Sequence, residues 1–226
     1  MAKKPFRRSN FKLKTVFVYC EGQTEESFIN NILEPYFYNM NIYIKPIIHK
    51  TKRTNMKTFK GGVGNYYIIK KEIINLCKNP NIFVTTMFDY YGMPKDTPAI
   101  NCVESDIYKK IKIIEESINQ DIGYKNLFFN LVVHEFEGLL FSNPKSFSIY
   151  VNNNIVSKLQ AIKDKALSPE HINNSINTAP SKRILNLVPD YSKSRMGIII
   201  SKKIGINTMI KECKHFSNWI NRIKNI

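Results

Sequence analysis

Four short apolar runs, separated by stretches with helical periodicity, constrain the fold of this chain more than any other feature. The runs are rich in β-branched and aromatic residues and lie at 15–20 (TVFVYC), 42–48 (IYIKPII), 82–88 (IFVTTMF) and 127–133 (LFFNLVV). Three of them are nearly continuous rather than alternating, which is typical of strands buried on both faces of a sheet. Pro46 removes a backbone donor from the second run and therefore favours an edge position for it.

Helical patterns at 25–38, 65–78 and 104–120 fill the spaces between these runs. The alternation of strand and helix predicts an α/β domain with a mostly parallel, four-stranded sheet flanked by helices. Thr24 is a candidate N-cap for the first helix. The expected organisation is a basic N-terminal arm (1–14), the α/β domain (15–144) and a helical C-terminal lobe (145–226) packed on it.

The charge is strongly positive and unevenly distributed. The formal net charge is +16, from 34 basic and 18 acidic residues. The ranges 1–14 and 45–71 contain only basic charges, and 145–226 contains fourteen basic and four acidic residues. Such a field attracts polyanions, nucleic acid first and an anionic membrane second. Because no amphipathic membrane helix stands out, we expect a nucleic acid partner, DNA or RNA, and no membrane partner.

Several classes of protein are excluded by what the sequence contains. No apolar run approaches the roughly 20 residues that span a bilayer, and the basic N-terminus is not followed by the apolar stretch of a secretory signal. The four cysteines form no CxxC pair, which argues against a zinc knuckle or a disulfide framework and favours a reducing cytosol. We therefore expect a cytoplasmic protein.

Carboxylates follow three of the predicted strands. Glu21 and Glu25 follow the first, Asp89 the third, and Glu135 and Glu137 the fourth. The carboxyl ends of parallel strands form the ligand-binding edge of a sheet. First-turn helix chemistry is an alternative explanation for Glu25, and a turn is one for Asp89.

Carboxylates this close together repel one another. Two unit charges about 4 Å apart cost about 4 kcal/mol at an effective dielectric constant near 20. The groups must therefore be protonated, paired with lysines or bound to a shared cation. An all-oxygen ligand set favours Mg²⁺ or Mn²⁺ over zinc.

Four segments carry a resemblance to a known family: 21–33 (EGQTEESFINNIL), 85–94 (TTMFDYYGMP), 134–144 (HEFEGLLFSNP) and 178–184 (TAPSKRI). Together they resemble a Toprim-like family of bacterial proteins, a domain of unknown function related to RloB and to the nuclease half of OLD proteins. The resemblance implies a Toprim-like (Rossmann-like) fold, Mg²⁺ binding and a nuclease role in phage defence or mobile elements. It also implies an AAA- or ABC-type ATPase partner encoded nearby.

The same resemblance implies roles for individual acids. Glu21 corresponds to the Toprim glutamate, a metal ligand or proton shuttle, and Asp89 to the first residue of the Toprim acidic pair. Toprim domains usually carry D-x-D, whereas this chain has Asp89-Tyr90-Tyr91. The second ligand is therefore expected from Glu137 or Glu135, with Asp96 as a third candidate.

Basic residues outside the strand ends are candidates for binding phosphate. They are Lys60, Lys182 and Arg183. A surface loop is the alternative explanation for Lys60, which lies beside a glycine pair. An ordinary helix start at Ser181 is the alternative explanation for Lys182 and Arg183. The glycines near Lys60 do not form a Walker A loop, since no Lys-Ser/Thr follows. His134 either orients a carboxylate, contacts phosphate or is structural. The segment HEFEG (134–138) is not the zinc motif HExxH, because its fifth residue is glycine.

The leading prediction is a Mg²⁺-dependent nuclease in which Glu21, Asp89 and Glu137 hold one or two ions, with Glu25 beside them. The alternative is a catalytically weak adaptor subunit that senses nucleic acid and docks on an ATPase. The missing second aspartate favours the adaptor, and the clustered acids favour the enzyme.

Overall fold

The sheet is parallel throughout and forms the centre of the chain. The computed structural model describes residues 13–49, 65–173 and 178–226. Within these ranges the strands are β1 (Lys14–Cys20), β2 (Ile42–Ile48), β3 (Ile82–Asp89), β4 (Leu127–Phe128) and β5 (Leu131–Val132). Their order is β2-β1-β3-β4, with β5 also beside β3, and every pairing among them is parallel. The predicted α/β architecture is confirmed, and β2 with its Pro46 lies at an edge.

The fourth apolar run forms two short strands instead of the single strand that the sequence predicts. β4 pairs with Val84 and Thr85, and β5 pairs with the end of β3 in the same register. Between them the Thr86 hydroxyl accepts a hydrogen bond from Asn130 N at 2.8 Å and donates one to Asn130 O at 2.7 Å. A side chain thus replaces the backbone ladder where the strand is interrupted.

Helices cover both faces of the sheet. They are α1 (Gln23–Phe28), α2 (Glu34–Tyr38), α3 (Tyr66–Cys77), α4 (Ile107–Ile122), α5 (Glu137–Leu140), α6 (Asn153–Asp164), α7 (Pro180–Leu187), α8 (Ile198–Ile204), α9 (Ile206–Glu212) and α10 (Lys214–Lys224). A π-helical turn, Ile29–Leu33, joins α1 to α2. Asn65 and Asp106 cap α3 and α4 with their side chains. The prediction that Thr24 caps the first helix is wrong, because α1 begins at Gln23 and its N-cap residue is Gly22.

The alternation of β1 side chains produces two cores. Val16, Val18 and Cys20 pack with α1, α2 and residues of the C-terminal helices, whereas Tyr19 packs on the opposite face with α3 and α4. Trp219 of α10 donates its indole N–H to Thr85 Oγ1 at 2.9 Å, so the C-terminal helices contact the sheet itself. The domain boundaries at 14 and 144 stay predictions. No helix within the described ranges is both long and apolar enough to cross a membrane.

Candidate functional site

Three acidic side chains meet at the carboxyl edge of the sheet. β1 and β3 are neighbours with Cys20 opposite Met87, so the segments that follow them start side by side. Asp89 ends β3, and its Oδ1 accepts a hydrogen bond from Phe136 N at 2.9 Å. Glu25 is in the first turn of α1 and Glu137 is the first residue of α5, and both are buried.

The ammonium of Lys193 lies where these acids meet. Its Nζ is 3.0 Å from Asp89 Oδ2, 3.2 Å from Glu25 Oε1 and 3.7 Å from Glu137 Oε2. Lys193 is the first residue of a π-helical turn, Lys193–Gly197, that leads into α8. We refer to Glu21, Glu25, Asp89 and Glu137 as the carboxylate cluster. The sequence does not single out Lys193, because it belongs to a lysine-rich segment and to none of the four motifs.

Two glycines permit the close packing of this site. A Cβ on Gly197 would lie 2.8 Å from the Tyr191 hydroxyl oxygen and 3.4 Å from a ring carbon of Phe136. A Cβ on Gly92 would lie 3.0 Å from Glu21 Oε2. The absence of side chains at these two positions therefore leaves room for the turn that carries Lys193 and for the Glu21 carboxylate.

The carboxylate cluster has more negative than positive charge. Burial raises the pKa of Glu21 to about 7, and the charges of Asp89 and Glu25 add to the effect while Lys193 opposes it. Burial also raises the pKa of Glu137 to about 7, against the opposing effect of Lys193. Burial alone would lower the pKa of Lys193, but its carboxylate partners raise that pKa well above 10.5. The cluster thus contains four acids and one ammonium, which contacts three of them, and two of the four acids have a pKa of about 7.

The carboxylate oxygens of the cluster are the type of ligand that a hard divalent cation prefers. Three carboxylates from different elements already converge on one positive charge, and all their donor atoms are oxygen, as Mg²⁺ and Mn²⁺ prefer. In the described parts of the chain, no three His, Cys, Asp or Glu side chains are already placed as ligands of a metal. Lys193 now supplies the cation, and a metal ion would have to take its place.

Glu135 and Asp96 are directed elsewhere. Glu135 and Glu137 do not continue the fourth strand, because β5 ends at Val132 and the backbone turns at His134, where φ is +62°. Glu135 Oε2 instead accepts a hydrogen bond from Ser181 N at 3.1 Å, at the start of α7. Both carboxylate oxygens of Asp96 lie 3.1 Å from Tyr66 N, at the start of α3.

His134 is buried, and its imidazole is neutral near neutral pH. Its exposed fraction is 5% and its ring centroid is 5.2 Å from that of Tyr91. Burial lowers the pKa of His134 to about 4, and the charge of His171 adds to this effect. Its Nδ1 has no hydrogen-bond partner among the described residues. His134 makes no ion pair with the carboxylate cluster, and its accessory role stays a prediction.

Two of the three predicted phosphate-binding residues lie on α7. Lys182 is exposed, and half-buried Arg183 donates from Nε to Thr178 O at 2.8 Å. The first turn of α7 also contacts Glu135, so both residues belong to a helix that borders the loop before α5. Lys60, the third, lies outside the described residues.

A family model, Domain of unknown function (DUF4276), matches residues 20–224 of this chain. The chain belongs to the DUF4276 family. The match includes the carboxylate cluster and Lys193, and it confirms the membership that the four motifs predicted. No curated protein matches this DUF4276 chain.

Two solved structures are similar to this DUF4276 chain at low identity. One is the C-terminal region of the Burkholderia pseudomallei OLD protein, with 14% identity, a TM-score of 0.44, and coverage of 95% of this chain and 98% of that one. The other is the C-terminal region of the Xanthomonas campestris pv. campestris OLD protein, with 12% identity, a TM-score of 0.43, and coverage of 95% and 96%.

Proposed function

We propose that this DUF4276 protein is a Mg²⁺- or Mn²⁺-dependent nuclease that hydrolyses phosphodiester bonds in DNA or RNA. The observation that carries the proposal is the convergence of Glu25, Asp89 and Glu137 on one cation. These acids come from three separate elements at the ligand-binding edge of a parallel sheet. A purely structural ion pair needs one acid for one lysine, whereas this cluster has a surplus of acids.

The residues divide between holding a metal ion and handling protons and phosphate. Glu25, Asp89 and Glu137 would hold the ion, which would activate a water molecule and neutralise charge on the scissile phosphate. Glu21, with a pKa of about 7, is suited to take a proton from water near neutral pH. Lys193, once released from the acids, would bind a phosphate oxygen.

The wider surface would hold the nucleic acid backbone. The net charge of +16 supplies non-specific attraction to phosphate, and Lys60, Lys182 and Arg183 remain our candidates for direct contacts. We include in the proposal the AAA- or ABC-type ATPase partner and the role in phage defence that the motif resemblance implies.

The second candidate is a nucleic-acid-sensing adaptor without catalysis. It is favoured by Lys193, which already balances part of the negative charge without a metal, and by Tyr91 at the position where a second aspartate is usual. An adaptor of this kind would bind nucleic acid and an ATPase subunit but would not cut either DNA or RNA.

A cleavage assay separates these candidates. The protein is incubated with Mg²⁺ or Mn²⁺ and with plasmid, single-stranded DNA or transfer RNA. We expect metal-dependent cutting that falls at least about 100-fold in Asp89→Asn and Glu137→Gln. The matched control is Glu116→Gln, an exposed acid paired with Lys112 at 3.8 Å, which should cut normally. Cutting that is undiminished in both cluster variants would refute the proposed site, and binding without cutting would favour the adaptor.

A further inference from the structure

An open cleft begins at Tyr90, the residue directly after Asp89. Its volume is about 640 Å³, within the range of small-molecule sites. Residues that line it include Tyr90, Tyr91, Asn101, Val103, Glu104 and Lys110. The cleft and the carboxylate cluster are thus linked in sequence, because Tyr90 lines the cleft and Asp89 belongs to the carboxylate cluster.

One wall of the cleft is a supported aromatic surface. The ring centroids of Tyr90 and Tyr91 are 5.5 Å apart with a 34° tilt, and Tyr91 also contacts the His134 ring. The Tyr91 hydroxyl accepts a hydrogen bond from Asn173 Nδ2 at 2.6 Å. Tyr91 is thus held from two sides, and it holds Tyr90 in turn.

The remaining lining supplies charge, an apolar contact and polar groups. Lys110 Nζ is 6.0 Å from the Tyr90 ring centroid, and the Val103 side chain is fully exposed. Glu104 Oε1 accepts a hydrogen bond from Asp106 N at 2.9 Å, which fixes the carboxylate in the wall. An aromatic face, a nearby cation and polar groups for an edge are what a nucleobase with its phosphate requires.

We propose that this cleft binds an unpaired nucleobase of a strand whose scissile phosphate would lie at the carboxylate cluster. The inference rests on the proposed function, and it defines the substrate class as single-stranded or locally unpaired nucleic acid. A base inside a duplex is stacked and paired, and it must leave the helix before an aromatic side chain can stack on its face. Tyr90 and Tyr91 would therefore take a binding role, and Tyr91 stands at the position where Toprim domains usually carry the second acid.

The test measures binding without metal, so that it does not depend on catalysis. A labelled single strand of about 12 nucleotides with a central 2-aminopurine is titrated in EDTA. We expect Tyr90→Ala to weaken binding about tenfold and to abolish the quenching of 2-aminopurine, because the stacking face is removed. Tyr90→Phe should retain both. The control Tyr38→Ala removes a tyrosine that is 74% exposed on α2, and it should change neither.

A second variant does not depend on the aromatic wall. Val103→Glu changes a fully exposed side chain, so folding should be unaffected, and the added negative charge should weaken binding of the strand. Equal affinity of wild type, Tyr90→Ala and Val103→Glu would overturn the proposal. So would tighter binding of a matched duplex than of the single strand, or no binding of the single strand by the wild type.

The two proposals fail in distinguishable ways. Metal-dependent cutting, together with strand binding that is unchanged in Tyr90→Ala and Val103→Glu, would refute the binding role of the cleft and leave the nuclease proposal standing. Strand binding that is weakened in Tyr90→Ala, without cutting under any metal condition, would refute the nuclease proposal and leave the binding role of the cleft standing.

Discussion

Three carboxylates share the ammonium of Lys193, and the same carboxylates raise its pKa well above the ordinary value. Near neutral pH the lysine is therefore charged, and its positive charge offsets part of the negative charge of the carboxylate cluster. Its side chain is 32% exposed, so it can reach solvent or a ligand as well as the acids. A residue in this position stabilises the metal-free protein and competes with any metal ion.

Replacement of Lys193 by methionine should expose this double role. Lys193→Met leaves the acids without a counter-charge, and we expect the metal-free protein to lose roughly 3 kcal/mol of unfolding free energy at pH 8. The loss should be smaller at pH 5, where Glu21 and Glu137 are protonated. Thermal melting at both pH values measures the effect, with the exposed Lys112→Met as control. An equal loss at both pH values would contradict this electrostatic role.

Glu21→Gln should change stability in a pH-dependent way. The pKa of Glu21 is about 7 in the folded protein and 4.5 ordinarily, so the folded state binds the proton more tightly than the unfolded chain does. Its contribution to the unfolding free energy therefore falls as pH rises from 4.5 to 7, and the full penalty is present above pH 7. The variant should melt with the wild type near pH 4.5 and at least about 3 °C higher at pH 8 without metal.

Saturating Mg²⁺ provides the counterpart of that measurement. If Glu21 serves a metal site, Mg²⁺ should stabilise the wild type more than Glu21→Gln and reduce or reverse their difference at pH 8. A melting difference that is the same at every pH would show that burial of Glu21 does not raise its pKa.

At the scale of elements, the interrupted fourth strand precedes the turn that leads to Glu137. The Thr86 hydroxyl bridges the gap between β4 and β5, and the chain turns at His134 before α5 begins. This arrangement brings Glu137 to Lys193 and Glu135 to α7. We therefore expect the position of Glu137 to depend on a hydrogen bond made by a different strand.

Thr86→Val tests this dependence. The substitution keeps the shape but leaves Asn130 N without its partner, and we expect a loss of about 1–3 kcal/mol of unfolding free energy. Thr85→Val is the matched control, since Thr85 is also buried and accepts the Trp219 indole N–H. Mn²⁺ affinity, measured by titration calorimetry, should fall in Thr86→Val more than in Thr85→Val. Equal affinities would show that the gap does not position Glu137.

The elements themselves could be predicted from local patterns, and the site only in part. The apolar runs predict the first three strands because their length and composition suit buried strands. The gap at Asn130 could not be predicted, since it depends on Thr86, which is 44 residues away. Strand-end position pointed to Asp89 but left Glu135 and Glu137 as alternatives, and the structure places the Glu137 carboxylate near Lys193 and that of Glu135 at Ser181. Lys193 required tertiary structure, because the residue lies 104 positions from Asp89 and carries no motif.

At the scale of the whole molecule, the charge distribution should set how binding depends on salt. Removal of one lysine that binds a phosphate reduces the slope of log affinity against log salt by about 0.7 for a single strand. We expect Lys182→Gln to reduce the slope by about that amount and to weaken binding of all sequences equally. Lys112→Gln, an exposed lysine 72% accessible on α4, is the control and should leave the slope unchanged. Identical slopes of log affinity against log salt for the two variants would show that Lys182 does not contact the nucleic acid.

The central claim is that the carboxylate cluster is a site for a divalent cation, and Mn²⁺ titration calorimetry at pH 7 tests it most directly. We predict saturable Mn²⁺ binding by the wild type, with protons released from Glu21 and Glu137 that appear as a dependence of the heat on the buffer. Asp89→Asn should abolish this binding, and Glu116→Gln should retain it. No Mn²⁺ uptake by the wild type, or unchanged uptake by Asp89→Asn, would contradict the claim.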